Sequence, residues 1–347
     1  MLKYLDVKAS LESLVLIRDD RLPVRRIPLR QKPLQRYFLP YRGLLGILLI
    51  CIAWPLSWAQ SDVGLQYTFF PLWLGFILTI DGLVLRRTGT SLIVRSPKIM
   101  ALMFVVAMPY WWAFEGINSI TQNWVYIGTE ENTDVFDYLE SSLAFSVVIP
   151  AVFEVSELIG SMGFIKRFKR LPALVSDRRQ VMLVAVLGVL SLVALLLWPA
   201  ALFPLTWLSL FFIFDPINCL MGRPSIVAQV RNGDWRLVVT FALGALVCGF
   251  FWEMWNNDAK ASWEYNVGIF DFARIFEMPL LGYGGYLPFG LETYAVFHFA
   301  AGLLGWSSNA HVPLKGDTQV SGDTQESGDE QVSGNTEVSG DEQVSPN

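Results

Sequence analysis

The chain has 347 residues, of which 53% are hydrophobic, 14% aromatic and only 16% charged, and its formal net charge is −5. This composition excludes a disordered chain, a nucleic-acid-binding protein and, with only three cysteines, a disulfide-rich scaffold. It is typical of an integral membrane protein, whose expected partners are membrane lipids.

The first 42 residues form a basic segment that holds ten of the 26 lysine and arginine residues. Its four prolines between positions 21 and 42 keep the chain extended near anionic headgroups. The first apolar run begins only behind this segment, at Gly43, which does not fit a cleavable signal peptide. We therefore expect residues 1–42 to form a cytoplasmic N-terminal segment that is retained.

Eight apolar windows of roughly 20 residues follow, the length needed to cross a bilayer core of about 30 Å. They cover residues 43–60, 66–85, 99–117, 146–165, 180–198, 200–220, 236–256 and 286–306. The sequence therefore predicts an all-α, polytopic membrane protein with eight transmembrane helices.

Basic residues are distributed unevenly among the loops that join these windows. The loops at 86–98, 166–179 and 221–236 hold thirteen lysine and arginine residues, whereas the other loops are mainly acidic. Basic loops remain in the cytoplasm during insertion. We therefore predict a multi-pass protein of the bacterial inner membrane with both termini in the cytoplasm.

The first four windows resemble the last four in the order and spacing of their unusual residues. The matched pairs, separated by 134 to 139 positions, are Asp81 and Asp215, Glu115 and Glu253, Asn118 and Asn256, Trp124 and Trp263, Tyr126 and Tyr265, and Glu154 and Glu292. Because four spans are an even number, both copies must insert in the same orientation. We predict two parallel four-helix repeats, residues 43–165 and 180–306, joined by a basic connector at 166–179.

Four glutamates inside the predicted spans, Glu115, Glu154, Glu253 and Glu292, are the main candidate catalytic groups. A charge at the bilayer centre costs roughly 2.5 to 3.5 kcal/mol on insertion scales, so such residues usually face the protein interior. A proline four positions before Glu154 and before Glu292 is expected to begin a helix near the outer surface. We therefore expect Glu115 to approach Glu154 and Glu253 to approach Glu292, so that one carboxyl group of each pair holds a proton and serves as general acid. The alternative is that each acid only fastens helices by hydrogen bonds.

Amide and aromatic residues near Glu115 and Glu253 are the candidate substrate-binding residues. They are Asn118, Trp124 and Tyr126 in the first repeat and Asn256, Trp263 and Tyr265 in the second. The asparagines follow their glutamates by three positions, which places both side chains on one helix face. The aromatic residues fit an interfacial belt, and they also fit the wall of a site for an isoprenoid molecule.

Three further polar residues stand inside or beside the predicted spans. His298 has no counterpart in the first repeat and is a candidate catalytic residue, with an ordinary interior side chain as the alternative. Asp81 and Asp215 lie at the inner face near basic loops, where a salt bridge or a helix stop is the expected role.

The last segment, residues 307–347, contains a six-residue repeat of the type Val-Ser-Gly-Asp-Glu-Gln. It has eight acidic residues from position 315 onward and cannot bury a core. We expect a disordered acidic tail that acts as a spacer.

The repeated motifs resemble those of two families of membrane proteins. The series Phe-Pro-Leu-Trp, Asp, Trp-x-Phe-Glu-x-x-Asn and Asn-Trp-x-Tyr resembles a family of uncharacterised bacterial multi-span membrane proteins, over about residues 43–306. The Pro-x-x-x-Glu motif in a duplicated intramembrane bundle is similar to heterodimer-type lycopene cyclase domains, although the sequence lacks their Pro-Glu-Glu pattern. That resemblance implies membrane-embedded acids that protonate a polyene.

The expected activity is the handling of a lipid or isoprenoid-type molecule by proton transfer from intramembrane carboxylates. Two alternatives stay open: a proton-coupled transporter built on parallel repeats, and a membrane scaffold without catalysis. Two histidines do not suffice for a histidine-rich di-iron site, and nothing in the sequence demands another metal, although a cluster of carboxylates and amides is compatible with a hard cation. The sequence points to no particular cofactor and no protein partner.

Overall fold

A computed structural model of the chain describes residues 39–59, 65–128, 134–174, 177–267, 272–306, 312–315 and 317. Nearly all of the predicted basic N-terminal segment, 1–42, lies outside the described residues. The same holds for the acidic repeat within 307–347.

Long helices alternate with short helices and strands along the chain. In order, the elements are α1 Tyr41–Trp58, α2 Leu65–Thr88, α3 Leu92–Arg95, α4 Pro97–Thr121, β1 Trp124–Ile127, α5 Val135–Phe145, α6 Val148–Gly160, α7 Arg178–Leu197, α8 Pro199–Leu202, α9 Ser209–Leu220, α10 Ile226–Arg231, α11 Arg236–Asn257, β2 Ser262–Tyr265, β3 Arg274–Ile275, β4 Met278–Pro279 and α12 Tyr283–Leu303. Two 3-10 helices, Gly163–Phe168 and Phe203–Trp207, follow α6 and α8.

Seven helical segments of the described chain are long and apolar enough to cross a membrane, by length and composition. They are Tyr41–Trp58, Tyr67–Thr88, Pro97–Thr121, Val135–Gly160, Arg178–Leu197, Pro199–Leu220 and Arg236–Asn257. This mostly helical architecture is that of a polytopic, multi-pass membrane protein. The eighth predicted window falls on α12, which has 21 residues but a lower mean hydropathy because it contains glycine, tyrosine, histidine and glutamate.

Helix α12 is covered by other helices, and this explains its composition. It packs mainly on α9 and α11. At Gly290 the backbone of α12 approaches the Phe241 carbonyl of α11 so closely that a Cβ atom would collide with it. In the same way, Gly46 of α1 lies directly against Gly75 of α2. Because α12 faces protein on most sides, it needs less apolar surface than a helix that faces lipid.

The fourth predicted window, 146–165, begins too late. The helical segment starts at Val135 with α5, where the side chain of Asp134 accepts backbone N–H groups and caps the helix. Pro150 is the third residue of α6, and Pro288 is the sixth residue of α12. The prediction that these prolines begin their helices is therefore wrong, which changes the depth of the glutamates that follow them.

Two strands outside the long helices form an antiparallel ribbon. Strand β1 follows α4, strand β2 follows α11, and Trp124 pairs with Tyr265 while Tyr126 pairs with Trp263. A second pair of two-residue strands, β3 and β4, precedes α12. We call the side of the bundle with β1 and β2 the ribbon end. The opposite side is the basic end, where the arginines that make ion pairs or hydrogen bonds are Arg42, Arg87, Arg95, Arg223 and Arg236.

The beginning of the predicted tail packs on the basic end. Val312 and Leu314 are buried in the core, and Asp317 forms an ion pair of 2.7 Å with Arg236. The predicted start of the disordered tail at residue 307 is wrong for these residues. Two apolar side chains and an ion pair hold them against the helices.

Candidate functional site

A cavity of about 510 Å³ opens at the ribbon end, between the ribbon, the helices α4 and α5, and the helices α11 and α12. This volume lies in the range of roughly 300 to 1,000 Å³ that is usual for small-molecule sites. Aromatic side chains dominate its wall: Phe69, Trp111, Trp112, Trp124, Tyr126, Phe145, Trp207, Trp252, Trp263, Tyr265, Tyr286 and Phe289. The site is therefore suited to an apolar, unsaturated ligand.

The charged part of the cavity wall is acidic. Glu115 of α4 and the residues Asp137 and Glu140 of α5 line it, whereas no lysine or arginine among the described residues does so. The cavity can therefore stabilise positive charge, through its carboxylates and through the faces of its aromatic rings.

Glu115 is held at the cavity wall by three donors. Its Oε1 atom accepts hydrogen bonds from the Tyr126 hydroxyl at 2.6 Å, from Trp111 Nε1 at 2.9 Å and from Trp124 Nε1 at 3.4 Å. Trp111 lies one helical turn before Glu115, and the other two donors come from β1. The ribbon thus fixes the orientation of a carboxyl group that lines the cavity.

The tyrosines of the ribbon remain hydrogen-bond donors at neutral pH. Desolvation and the neighbouring Glu115 raise the pKa of Tyr126 above its usual value. Desolvation and Glu253 likewise raise the pKa of Tyr265. Each hydroxyl group therefore keeps its proton and donates a hydrogen bond to a glutamate.

Glu253 occupies the matched position in the second half but has no access to the cavity. It is fully buried, and its Oε1 atom accepts from the Tyr286 hydroxyl at 2.5 Å and from the Tyr265 hydroxyl at 2.8 Å. Both tyrosines line the cavity, whereas Glu253 does not. The two glutamates therefore differ in access although their sequence contexts match.

The two asparagines hold the ribbon instead of lining the cavity. The Asn118 Nδ2 group donates to the Trp124 carbonyl at 2.8 Å, and the Asn256 Nδ2 group donates to the Trp263 carbonyl at 2.7 Å. Each Oδ1 atom accepts a backbone N–H at the start of the same strand. Their predicted role in substrate binding therefore does not fit: the structure uses them to anchor the strands that carry the other candidate residues.

The expected pairs of Glu115 with Glu154 and of Glu253 with Glu292 do not form. Glu154 and Glu292 are fully buried, and their carboxyl oxygens have no hydrogen-bond partner among the described residues. Glu154 lies on α6 among the charged groups of the basic end, Asp81, Arg42, Arg95 and Glu157, and not beside Glu115. The predicted pairs require prolines that begin their helices, whereas Pro150 is the third residue of α6 and Pro288 the sixth residue of α12.

Asp81 and Asp215 make related contacts at the basic end. Asp81 forms an ion pair with Arg42 at 2.6 Å and accepts the backbone N–H of Ile93 at 3.2 Å. Asp215 accepts the backbone N–H groups of Ile226 and Val227, both at 2.8 Å. Each aspartate therefore binds the first turn of the short helix that follows its own helix.

His298 lies in the interior of the bundle, away from the cavity wall. Its ring centre is 4.2 Å from that of Tyr294, and Phe153 and Phe297 pack beside it. This position fits an interior side chain better than a group that meets a ligand in the cavity.

Sequence reasoning missed several residues that complete these sites. Trp111 precedes Glu115 by four positions on one helix face, which is a readable signal. The position in the first half that matches Tyr286 is Val148, so the repeat does not indicate a functional residue there. The Arg95–Glu157 ion pair joins residues 62 positions apart and depends on the tertiary fold.

Comparison of the chain with protein-family models, with curated proteins and with solved structures found no match.

Proposed function

We propose that the cavity at the ribbon end binds a lipid-class molecule of the isoprenoid type, and that Glu115 transfers a proton to one of its carbon–carbon double bonds. The observation that carries this proposal is the carboxyl group of Glu115 at the wall of a mainly aromatic cavity. Such a wall holds an apolar chain and excludes water from it.

The proposed chemistry consumes no co-reactant. Protonated Glu115 gives its proton to an alkene carbon, which forms a new C–H bond and leaves a carbocation on the neighbouring carbon. The aromatic faces and the acidic wall stabilise that positive charge. A carboxylate then removes a proton from an adjacent carbon, so that the double bond forms again at a new position. The resemblance to lycopene cyclase domains agrees with this chemistry and stays a prediction.

We also propose that the chain is a duplicated structure of eight spans in two parallel four-helix repeats, with α12 as the eighth span. The matched hydrogen bonds of Asn118 and Asn256 support it. The ribbon supports it as well, because the matched positions Trp124 and Trp263 each pair with the tyrosine of the other half. A two-fold axis through the middle of the ribbon gives this register, and the cavity lies beside that axis.

The proposed topology places the basic end in the cytoplasm of a bacterium and the ribbon end on the outer side of its inner membrane. The uneven distribution of lysine and arginine supports this orientation. Both termini are then cytoplasmic, and the cavity is open to lipids of the outer leaflet.

The proposal is tested by incubating the purified protein in D2O with mixed bacterial membrane lipids and an added polyene alcohol, all-trans-retinol. Transfer of a solvent-derived deuteron to carbon appears as a mass increase of a recovered lipid. Because a general acid contributes roughly 10² to 10⁴ in rate, we expect Glu115→Gln to lower deuterium incorporation at least about 100-fold. The matched variant Glu253→Gln is expected to stay within about twofold of the wild type.

The same protein gives a separate measurement of binding. Retinol accepts excitation energy from tryptophan, and six tryptophans of the two halves and the connecting 3-10 helix line the cavity, namely Trp111, Trp112, Trp124, Trp207, Trp252 and Trp263. We expect Ala144→Phe, which fills the cavity, to weaken this signal, and Ala200→Phe on the exposed α8 to leave it unchanged. Binding without deuterium incorporation contradicts the chemistry and favours the transporter, whereas absence of binding contradicts the site and favours the scaffold.

A further inference from the structure

A second polar site lies at the basic end of the first half, remote from the cavity. Two ion pairs frame it. Arg42 of α1 forms an ion pair with Asp81 of α2 at 2.6 Å. The two terminal guanidinium nitrogens of Arg95 each donate to one carboxylate oxygen of Glu157, at 2.7 Å. The bidentate pair uses the strongest geometry that arginine and carboxylate can form.

Glu154 stands inside this frame, one helical turn before Glu157 on α6. Its side chain is fully buried, and neither carboxyl oxygen has a hydrogen-bond partner among the described residues. The charged groups that act on it are Asp81, Glu157, Arg95 and Arg42, from four different elements. The site therefore holds three carboxyl groups but only two guanidinium groups.

The imbalance of charge determines what the site can bind. Each arginine is already engaged by one carboxylate, so a negative charge on Glu154 lacks a counter-charge at a fully buried position. From α12, Tyr294 and His298 pack on Phe153, the residue next to Glu154. Binding one proton at Glu154 removes the surplus negative charge. A metal ion does not fit, because no group of three or more acidic, histidine or cysteine side chains in the described chain is arranged to hold one.

The site also has a route to water. The side chain of Glu157 is 3% exposed, whereas that of its partner Arg95 is 21% exposed at the basic end. Arg42 is 15% exposed on the other side of the frame. We infer that Glu154 is a proton-binding site that exchanges its proton with water at the basic end, past the Arg95–Glu157 pair.

Glu292 is the natural control for this inference. It occupies the matched position in the second half and is equally buried, and the backbone of Leu210 on α9 lies close enough to interact with its carboxyl group. Its surroundings differ, since no charged side chain of the described residues acts on it. We therefore expect Glu292 to be isolated from solvent protons, in contrast to Glu154.

The test uses N,N′-dicyclohexylcarbodiimide, an apolar reagent that reacts with protonated carboxyl groups in membrane proteins. The full-length protein in phosphatidylcholine vesicles is treated across a pH series, and the modified peptides are quantified by mass spectrometry. We expect Glu154 to be modified at neutral pH and several-fold less in alkaline solution, and Glu154→Gln to lose this modification. We expect Glu292→Gln to leave the pH profile of Glu154 unchanged.

A second variant distinguishes proton exchange from simple burial. Glu157→Gln removes one negative neighbour and frees Arg95, so Glu154 should be modified several-fold less at the same pH. A structural role of Glu154 predicts no such shift. Glu154 that is unmodified at every pH, or modified independently of pH, overturns the inference. Protection of Glu154 by sodium ions also overturns it, since the site then binds a metal cation. None of these results depends on the cavity at the ribbon end.

Discussion

The two halves of the molecule build the same hydrogen-bonding frame at the ribbon end but complete it differently. In each half a glutamate of a long helix accepts a hydrogen bond from the tyrosine of the following strand, Glu115 from Tyr126 and Glu253 from Tyr265. Glu115 lines the cavity, whereas Glu253 is fully buried beneath Tyr286. Glutamates at matched positions therefore differ in role, because only Glu115 can contact a ligand in the cavity.

The basic end shows a second difference between the halves. In the first half, the Arg95–Glu157 pair lies beside Glu154, which has no counter-charge of its own. In the second half, Arg236 binds both Asp234 and Asp317, so the beginning of the tail closes this region. The first half therefore holds a buried acid without a counter-charge of its own, and the second half an arginine that is bound by two carboxylates.

The sharpest test of the comparison is the stability cost of losing each glutamate. Glu253→Ala empties a fully buried position and takes the acceptor from Tyr265 and Tyr286, whereas Glu115 itself lines the open cavity. An unsatisfied buried polar group costs about 1 to 3 kcal/mol. We expect Glu253→Ala to lower the free energy of unfolding by about 2 kcal/mol or more, and Glu115→Ala by about half as much.

Unfolding of both variants in mixed detergent micelles, followed by circular dichroism, measures this difference. Glu253→Gln serves as the control, because it retains one acceptor oxygen and should recover part of the loss. Equal costs for Glu115→Ala and Glu253→Ala contradict the distinction between an accessible and a sealed carboxyl group.

Much of the helical frame could be predicted from hydropathy alone. The window 236–256 corresponds to α11, Arg236–Asn257, because a long apolar run with polar ends has few other folds in a membrane. The matched Asn118 and Asn256 were also readable as a pair, since both follow a glutamate by three positions. Their actual role as strand anchors was not readable, because the ribbon appears only when β1 and β2 meet.

The depth of the acidic residues could not be predicted from the same pattern. Asp134 and Asp137 form a capping box that starts α5, and this signal was present in the sequence. A helix start at Pro150 instead displaces Glu154 along its segment by several helical turns. The Arg95–Glu157 ion pair could not be predicted from the sequence, because the contact depends on how α3 packs beside α6. Local signals fix where helices begin, whereas the partners of a buried charge follow from tertiary packing.

An alkaline titration tests the comparison with a smaller expected effect. Burial and the adjacent glutamate raise the pKa of Tyr126 and Tyr265 above that of an unfolded tyrosine, which is about 10. Their contribution to stability is therefore fully present below that pH and is lost as the pH rises above it. We expect the melting temperature to fall between about pH 9 and 11, and Tyr265→Phe to flatten this fall more than Tyr126→Phe. Differential scanning fluorimetry across this range measures both slopes, and a steeper contribution from Tyr126 contradicts the order.

The smallest expected effect concerns the closed region at the basic end. Although burial opposes it, hydrogen bonds and charge from Arg236 hold the pKa of Asp234 below its usual value. Because the folded pKa is lowered, this contribution is present above the ordinary carboxyl range near pH 4 and is lost as the pH falls through the folded value. We expect hydrogen exchange of the Lys315 amide, which donates to the Gly160 carbonyl at 2.8 Å, to accelerate as the pH falls from about 5 to 3.

Asp234→Asn removes the titrating group and should leave a weaker acceleration. The exchange rates are compared after correction for the intrinsic pH dependence of amide exchange. The amide of Ile93, which donates to Asp81 in the first half, provides the reference because none of the described tail residues is its hydrogen-bond partner. If both amides respond equally to acid and to Asp234→Asn, the tail does not close the second half. The contrast with the first half then rests on Glu154 alone.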